Sequence, residues 1–373
     1  MGYARQELRC IYPDLKRKPL PRLSFASYSC QSLSKKILIT GVGGQDGYFL
    51  AKLLLERGDT VHGLLRGGSE DEIGSLKFLR EAELARISIH RGDVSEKWFI
   101  DELIQRELFD QVFHLAAQSS VAQSIAHPRE TIDTNVLGLT NIATSIRDRS
   151  PKTKLLFTGS SEMFGNLTDG KQSEHTPRHP QSPYGLTKDF GFQLINAYRK
   201  HYGLWAATAI LFNHESEFRG EQFVTKKIIQ SVARIAAGHD EILSLGNIYA
   251  ERDWGYAGDY MEGVLDVMDL ELPDDFVFAT GQLYSVKDFV NLAFKHAGIE
   301  PEWSGEGLDE IARDRSSGKT VVKIDERFYR PGDIKGTCGD ASKAQQILDW
   351  QAKTDLDGII ERMLRHEQSS ATA

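Results

Sequence analysis

From Lys36 onward the chain alternates short apolar runs with amphipathic helical stretches, and this rhythm constrains its fold more than any other feature. The six apolar runs are 36–40, 60–65, 87–90, 111–114, 154–158 and 205–211. Strands that alternate with helices in this way form a parallel sheet with helices on both faces. The sequence therefore predicts a doubly wound α/β fold, whose ligands bind at the carboxyl ends of the strands.

The rhythm loosens after residue 212, which indicates a second region in a chain of 373 residues. This region is predicted to contain helices at 221–237, 258–270 and 285–297, a strand near 276–279, and a polar, Gly-rich surface loop at 303–319. The first region alone offers no obvious substrate pocket. We therefore expect a Rossmann-type domain at 36–212 and a smaller C-terminal α/β substrate-binding region at 213–373 that shares one cleft with it.

Residues 1–35 differ from the rest of the chain. They contain three prolines, the basic cluster Lys16–Lys18 and a Ser-rich stretch, without helical or strand periodicity. A secretory signal would need an apolar segment, which is absent, and Glu7 and Asp14 argue against an organellar transit peptide. We expect a disordered leader that carries no chemistry.

Composition excludes several classes of protein. The formal net charge of −8 argues against a general nucleic-acid-binding protein, and no apolar run approaches the roughly 18 residues that a membrane span requires. Cys10, Cys30 and Cys338 are too few and too scattered for a disulfide framework or a four-ligand zinc site. We therefore expect a cytoplasmic protein with no metal, no nucleic-acid partner and no membrane attachment.

A glycine-rich turn follows the first predicted strand directly and opens a helix. Gly41, Gly44 and Gly47 have the spacing GxxGxxG, and Gln45 and Asp46 lie inside the turn. Glycines at this spacing let the backbone turn tightly, approach a pyrophosphate and pack the helix close to the sheet. Such a sequence can also be only a turn, but its position between strand and helix predicts a dinucleotide-binding site.

The ends of the next two strands bear on the type of dinucleotide. After the second strand the sequence has Arg66 and no acid before Glu70, whereas a carboxylate there would pair with the adenosine ribose. Arg66 is thus a candidate for binding the 2′-phosphate of NADP or stacking on the adenine, and is otherwise a surface arginine. Asp93, followed by Val94, can accept from the adenine amino group or cap the next helix. These features favour NADP over NAD.

Two pairs of residues are candidates for catalysis. Tyr184 and Lys188 lie four residues apart at the start of a helix predicted to run to about residue 202, so they share one face. The ammonium can lower the pKa of the phenol and reach the nicotinamide ribose, with Tyr184 as acid and base. Ser160 and Glu162 follow the fifth strand, and in an extended chain they point to the same side. Alternatively, Glu162 caps the following turn.

Separated motifs resemble those of the extended short-chain dehydrogenase/reductases, which mostly act on nucleotide sugars. The glycine-rich turn, Ala116–Ala117, Ser160, Tyr184 and Lys188 carry this resemblance. The motifs of the second half are more specific and resemble the GDP-mannose 4,6-dehydratases over residues 36–350. In chain order these motifs are Leu211–Ser216, Arg219–Ile228, Leu245–Asn247, Arg252–Ala257, Asp259–Tyr260, Tyr284–Val286, Tyr329–Pro331 and Gly339–Asp340.

The resemblance implies a redox-neutral removal of water from GDP-mannose. Tyr184 would take the proton of the C4 hydroxyl while the C4 hydride passes to NADP, and the new ketone makes the C5 proton acidic. Glu162 would abstract that proton and help to expel the C6 hydroxyl, after which the stored hydride returns to C6. The implied product is GDP-4-keto-6-deoxymannose.

The resemblance also implies the remaining binding residues. On the cofactor side they are Leu115, Ala116 and Ala117, with Lys188 and Tyr184 shared with the catalytic set. On the substrate side, Asn213 is expected at the pyrophosphate, Val224 and Lys227 at the guanine, and Arg252 and Arg330 at phosphates. Ser119 joins this substrate set, and Asp333 stands where the family usually has a ribose-binding glutamate.

Departures from the family pattern leave alternatives open. The segment after Arg66 lacks the longer loop that reaches a neighbouring subunit, so a homodimer through the usual two-helix face is as compatible as a homotetramer. His114, Asn135 and Ser160 replace the family's usual residues, which leaves a related GDP-sugar such as a GDP-heptose open. A GDP-4-keto-6-deoxymannose reductase would share the fold, and a cofactor-sensing binding protein would be expected to lack Tyr184 and Lys188.

Overall fold

Seven parallel strands form the centre of this computed structural model, which describes residues 34–68, 72–166, 170–329 and 334–371. Numbered with all strands in chain order, they are β1 (Lys36–Thr40), β2 (Thr60–Leu65), β3 (Ile87–Arg91), β4 (Gln111–His114), β5 (Lys154–Ser160), β6 (Ala206–Leu211) and β11 (Phe276–Phe278). Their order across the sheet is β11-β6-β5-β4-β1-β2-β3. The six predicted strands and the doubly wound fold are confirmed, and the chain changes winding direction between β1 and β4.

Helices cover both faces of this sheet. In the first region they are α1 (Gln45–Arg57), α2 (Glu81–Leu84), α3 (Lys97–Glu107), α4 (Val121–Ala126), α5 (Pro128–Ile132), α6 (Gly138–Arg149) and α7 (Pro183–Tyr202). Successive side chains of a strand face opposite sides, and Ile37 and Ile39 accordingly pack into one buried cluster while Leu38 packs into another. The first cluster includes α1, and the second includes α3, α6 and α7.

The second region adds three small sheets and five helices to the described part of the chain. The strands are β7 (Asn213–Glu215), β8 (Leu243–Leu245), β9 (Glu251–Arg252), β10 (Trp254–Tyr256), β12 (Tyr284–Ser285), β13 (Pro301–Ser304), β14 (Ile311–Asp314), β15 (Thr320–Ile324) and β16 (Gly336–Thr337). The helices are α8 (Val224–Ala236), α9 (Ala257–Asp269), α10 (Val286–His296), α11 (Ser342–Leu348) and α12 (Leu356–Ala371). The predicted helices therefore exist as α8, α9 and α10, and the predicted strand as β11. Across the residues described, no helix combines the length and hydropathy that a membrane crossing requires.

The prediction of a surface loop at 303–319 is wrong. This segment holds the end of β13, a 3₁₀ turn at Gly307–Asp309 and all of β14, which pairs antiparallel with both β13 and β15. Ala312 is buried, and the indole of Trp303 donates to Asn291 Oδ1 over 2.8 Å. Four-residue strands with one exposed face have too little hydrophobic periodicity to be distinguished from a loop in the sequence. Their pairing is a tertiary contact, which the local sequence does not show.

The glycine spacing after β1 has a steric cause. A Cβ on Gly41, whose φ is +72°, would lie 2.8 Å from the backbone nitrogen of Ala116. A Cβ on Gly47 would lie 2.3 Å from the carbonyl oxygen of Val42 and 2.6 Å from its Cα. The turn after β1 therefore lies against the loop after β4, and α1 lies directly on that turn.

We expect Gly47→Ala to destabilise the fold, because the backbone of Val42 can move away from the added methyl only by distorting the turn. The free energy of unfolding should fall by about 1 to 3 kcal/mol, the usual cost of overpacking. Urea unfolding followed by circular dichroism measures this change. The matched control is Gly67→Ala, where a Cβ would meet no atom within 4 Å. Equal losses in both variants would contradict the steric explanation.

Candidate active site

A cavity of about 740 Å³ lies at the carboxyl ends of the central strands. Its wall is formed by the turn after β1, the loops after β4 and β5, the start of α7, β7 and the start of α8. Residues from both sides of position 212 thus line one cavity. It lies where β1 and β4 diverge, which is the usual ligand position in open parallel sheets.

Most of the residues predicted to bind the cofactor line this cavity. They are Gly41, Gly44, Gln45, Asp46, Gly47, Leu115, Ala116 and Ala117, together with Tyr184 and Lys188. Helix α1 begins at Gln45 with Gly44 as its N-cap, and no side chain caps it. Its first backbone N–H groups are therefore available to an anion.

Three predicted cofactor residues lie outside the cavity lining. Arg66 is exposed and its guanidinium lies 3.5 Å from the carboxylate of Glu130. Asp93 accepts from the backbone N–H and the hydroxyl of Ser95, each over 2.8 Å, so its side chain stabilises the turn before α3. Val94 is buried, with its side chain packed against Gly138. A role for these residues at the adenosine end stays a prediction.

The four predicted catalytic residues meet on one wall of the cavity. Ser160, Tyr184 and Lys188 are each less than a tenth exposed, and Glu162 is half-buried. Helix α7 approaches the strand tip closely, since a Cβ on Gly185 would lie 2.6 Å from the carbonyl oxygen of Glu162. This glycine therefore lets Tyr184 lie beside the residues that follow β5.

The assumption of an extended chain from Ser160 to Glu162 is wrong. β5 ends at Ser160, and Ser161–Met163 form a 3₁₀ turn. The hydroxyl of Ser160 accepts from the backbone N–H of Glu162 over 3.3 Å, so Ser160 caps this turn. A local hydrogen bond of this kind competes with continued strand geometry. Glu162 lines the cavity nevertheless.

Burial shifts the pKa values of the Tyr/Lys pair in opposite directions. It raises the pKa of Tyr184 to about 12, with Glu162 acting in the same direction and hydrogen bonding with Ser160 opposing it. The expectation that Lys188 lowers the phenol pKa stays a prediction, since the rise comes from burial. The ammonium instead donates to the Thr158 carbonyl over 2.7 Å and lies 5.8 Å from the centre of the Tyr184 ring. Burial lowers the pKa of Lys188 to about 8, although the charge of Asp46 opposes this shift.

The predicted substrate residues lie mainly at the other end of the cavity. Those in its lining are Ser119, Asn213, Val224, Lys227 and Arg252. The ammonium of Lys227 donates to the Ser244 carbonyl over 2.7 Å and lies 3.5 Å from the centre of the Phe328 ring. Arg252 donates to the Ile334 carbonyl over 2.8 Å. Arg330 and Asp333 lie outside the described residues.

Three residues of the cavity were not singled out from the sequence. His214 pairs with Asp46, Nε2 lying 3.1 Å from each carboxylate oxygen, and Arg219 pairs with Glu215 over 3.0 Å. His214 and Arg219 line the cavity, as does Glu215, and all three belong to motifs that carry the family resemblance. Consecutive polar residues directly after a buried strand are the signal that could have identified them.

The two unusual residues His114 and Asn135 support the loop after β4. His114 Nδ1 lies 2.9 Å from the hydroxyl of Thr40, which also accepts from the N–H of Ala116. Burial lowers the pKa of His114 to about 3, so this imidazole is neutral. The side-chain carbonyl of Asn135 accepts from the backbone N–H of Gln118. Its amide nitrogen donates to the backbone carbonyl of Gln118 and, over 2.9 Å, to the hydroxyl of Thr187.

His62, His90 and Glu107 form a cluster of metal-ligating side chains outside the cavity lining. His62 Nδ1 and His90 Nε2 are 2.8 Å apart, and the rings are inclined by only 9° with centres 5.1 Å apart. That geometry is an in-plane hydrogen bond, and two zinc–nitrogen bonds of about 2.0 Å do not fit in line across it. Glu107 is already paired with Lys36 over 2.6 Å. The two imidazoles therefore satisfy each other, and Lys36 satisfies Glu107.

We expect Lys188→Met to raise stability at pH 7, because methionine removes a desolvated ammonium. The folded pKa of about 8 lies below the ordinary 10.5. The unfolded chain therefore binds this proton more tightly than the folded chain does. The resulting loss of folding stability is complete below about pH 8 and fades as pH rises toward 10.5. After allowing for the lost bond to Thr158, the gain at pH 7 should be about 2 kcal/mol. Urea unfolding at pH 7 and 9.5 tests this, with exposed Lys97→Met as control. A less stable Lys188→Met variant at pH 7 would contradict it.

Comparisons with known proteins identify the relatives of this chain. The family model for GDP-mannose 4,6 dehydratase matches residues 38–363. The chain is 40% identical to the GDP-mannose 4,6-dehydratase sdnI of Sordaria araneosa over 88% of its own length, and it spans 60% of that protein. It is 38% identical to the GDP-mannose 4,6-dehydratase of Sinorhizobium fredii (strain HH103), over 90% of this chain and 97% of that protein. The solved structure of MoeE5 in complex with UDP-glucuronic acid and NAD has the same fold, with a TM-score of 0.73, 21% identity and coverage of 90% and 99% of the two chains. The chain therefore belongs to the GDP-mannose 4,6-dehydratase family.

Proposed function

We propose that this protein converts GDP-mannose to GDP-4-keto-6-deoxymannose with a nicotinamide dinucleotide as its internal hydride carrier. One observation carries the proposal: Ser160, Glu162, Tyr184 and Lys188 meet on one cavity wall. The same cavity reaches the uncapped start of α1 and a cationic end that includes Lys227 and Arg252. A dinucleotide fits this wall because the glycines of the turn after β1 let its backbone come close to a ligand.

The side chains divide the chemistry between them. When bound, the nicotinamide supplies reversible hydride storage. Tyr184 takes the proton of the C4 hydroxyl, and Ser160 holds the same sugar oxygen. Lys188, mostly protonated at neutral pH because its pKa is about 8, stabilises the phenolate form of Tyr184, which must lose its own proton before it can accept that of the sugar. Glu162 removes the C5 proton made acidic by the ketone and assists departure of the C6 hydroxyl as water.

The presence of Glu162 beside the Tyr/Lys pair favours dehydration over simple reduction. A GDP-4-keto-6-deoxymannose reductase needs a proton donor and a hydride source but no carboxylate near C5. GDP-mannose incubated with the protein and catalytic NADP should therefore lose one water, as mass spectrometry would show. Unchanged GDP-mannose would favour the reductase. A faster reaction with a GDP-heptose than with GDP-mannose would reassign the substrate.

We expect Glu162→Gln to lower the turnover number for dehydration by about 10²- to 10⁴-fold, as the loss of a general base typically does. The same variant should no longer exchange the C5 proton with deuterated water, because the amide cannot abstract it. Glu102→Gln is a matched control, since Glu102 is exposed on α3 and pairs only with Arg106 among the ion pairs of the described chain. Full dehydration by Glu162→Gln would contradict the role given to this carboxylate.

We propose NADP, and not NAD, as the preferred cofactor. The side chain of Arg66 is 69% exposed just beyond β2, and its partner Glu130 is 57% exposed, so the guanidinium can leave this weak pair for a 2′-phosphate at little cost. No acid lies between Arg66 and Glu70 to take the ribose hydroxyls instead.

Replacing Arg66 with alanine should raise the KM for NADP by about 10- to 100-fold. This range corresponds to the loss of one hydrogen bond to a charged group, which contributes roughly 1.5 to 3 kcal/mol to binding. The KM for NAD should stay within about twofold, since NAD lacks the 2′-phosphate. Initial rates with each cofactor give both values. Arg129→Ala, at an arginine side chain that is 94% exposed, serves as control. An equal loss with NAD and NADP would contradict recognition of the 2′-phosphate by Arg66.

We propose that the protein forms a homo-oligomer through the face of α4, α5 and α7. The exposed apolar side chains are Ile125, Ile132, Leu186 and Phe190 on these helices, and Leu137 in the π-helical turn Asp133–Leu137 that follows α5. Leu186 and Phe190 lie one helical turn apart on α7. Exposed apolar side chains on helices that pack against one another mark an interface, and a two-fold dimer would cover them on both copies.

Leu186→Asp should therefore convert the oligomer to monomers, because it places a charge in the centre of an apolar interface. Light scattering coupled to size-exclusion chromatography measures the mass. Leu272→Asp is the matched control, since Leu272 is 76% exposed in the connection between α9 and β11. A monomeric wild-type protein, or an unchanged mass for Leu186→Asp, would contradict this interface.

A further inference from the structure

Both ring nitrogens of His214 face hydrogen-bond acceptors. Nδ1 lies 2.7 Å from the carbonyl oxygen of Phe212, and Nε2 lies 3.1 Å from each oxygen of the Asp46 carboxylate. A carbonyl cannot donate, so Nδ1 carries a proton, and an ionised carboxylate cannot donate either, so Nε2 carries one as well. The geometry is that of an imidazolium paired with a carboxylate.

The surroundings of the pair support this charge state. Burial is the largest single effect and by itself would raise the pKa of Asp46 and lower that of His214. The charge attraction and the hydrogen bond between the two groups, with smaller contributions from their neighbours, together outweigh it, so the pKa of Asp46 is lowered and that of His214 is raised. Arg219, which follows β7, favours the carboxylate and opposes the imidazolium. On the α9 side, the ring of Tyr260 lies 5.1 Å from the imidazole centre. Asp46 also raises the pKa of Lys188 on α7.

The position of Asp46 makes this pairing consequential. It lies in the first turn of α1, whose uncapped N–H groups face the cavity, and an isolated carboxylate there would repel a diphosphate. Pairing with His214 cancels that charge locally. The pair also joins α1 to β7, and two neighbouring bonds strengthen the connection. Gln45 donates to the His214 carbonyl over 3.0 Å, and Ser216 donates to the Gln45 side chain over 2.8 Å.

The next residue of β7 repeats the arrangement on the other face of the strand. Glu215 is 1% exposed, accepts from the hydroxyl of Thr225 and pairs with Arg219 over 3.0 Å. The guanidinium of Arg219 in turn lies 3.6 Å from the centre of the Phe223 ring. Two adjacent positions of β7 thus place two cations on the cavity wall, each held by a buried or half-buried carboxylate.

We propose that Asp46 is a positioning residue: it keeps His214 doubly protonated and so holds the phosphate-binding start of α1 against β7. Asp46 acts through His214 and not on the reacting atoms. The proposal rests on the proposed binding of a dinucleotide at α1. Because the pKa of His214 is raised in the fold, its imidazolium loses a proton at a higher pH than an ordinary histidine does. In Asp46→Asn, no carboxylate opposes the lowering of the His214 pKa by burial, and His214 becomes neutral at pH 7.5.

Nitrogen NMR of the full-length protein labelled with ¹⁵N-histidine tests the charge state directly. The His214 signals are assigned by their loss in His214→Gln. In the wild type at pH 7.5, both ring nitrogens of His214 should show imidazolium shifts, and in Asp46→Asn one of them should show the shift of an unprotonated nitrogen. Asp357→Asn is the matched control, because Asp357 lies 3.1 Å from His296 in an exposed pair far along the chain. A neutral His214 in the wild type overturns the proposal, and this measurement stands even where Asp46→Asn fails to fold.

Binding of NADP, measured by calorimetry between pH 5 and 8.5, tests the consequence. The wild-type affinity should change by less than about twofold over this range. Asp46→Asn should lose about tenfold in affinity as pH rises through a His214 pKa that burial holds below the ordinary value near 6.5. The same pH profile in both proteins overturns the positioning role. Absence of NADP binding to the wild type overturns the proposed cofactor, while the NMR result separately decides the charge state of His214.

Discussion

Parallel pairing of β1, β4 and β5 is the constraint on which the site depends. The register pairs Thr40 with His114 and His114 with Phe157, so β1 and β4 end at the same level and β5 continues beyond them to Ser160. The turn after β1, the loop after β4 and the tip of β5 therefore meet. A slip of one residue in any strand would turn its alternate side chains to the opposite face and disperse this edge.

Glycines make the close approaches at this edge possible. Gly41 lets the first turn contact the backbone at Ala116, and Gly185 lets α7 lie on the carbonyl of Glu162. These two contacts bring the turn after β1 close to the loop after β4, and the start of α7 close to the tip of β5. A larger residue at either position would move apart the elements that carry the candidate cofactor-binding and catalytic residues.

Charge is organised around the same edge. A chain with a formal net charge of −8 can attract anions only where cations are fixed locally, and here carboxylates fix them: Asp46 holds His214 and Glu215 holds Arg219. Burial meanwhile shifts the pKa of Lys188 to about 8 and that of Tyr184 to about 12. The phenol and the ammonium are therefore both mainly protonated at neutral pH.

The sequence by itself determined the central sheet, because apolar runs of four to seven residues between helical segments are local patterns. It also determined the glycine-rich turn and the shared helix face of Tyr184 and Lys188, since both follow from spacing along one element. The tertiary structure alone decided the antiparallel strands at 301–324, the 3₁₀ turn that presents Glu162 and the direction of the Lys188 ammonium. It likewise decided the partner of His214, which is 168 residues away in the chain. These features depend on pairing between distant segments and on burial, and neither property is written in local periodicity.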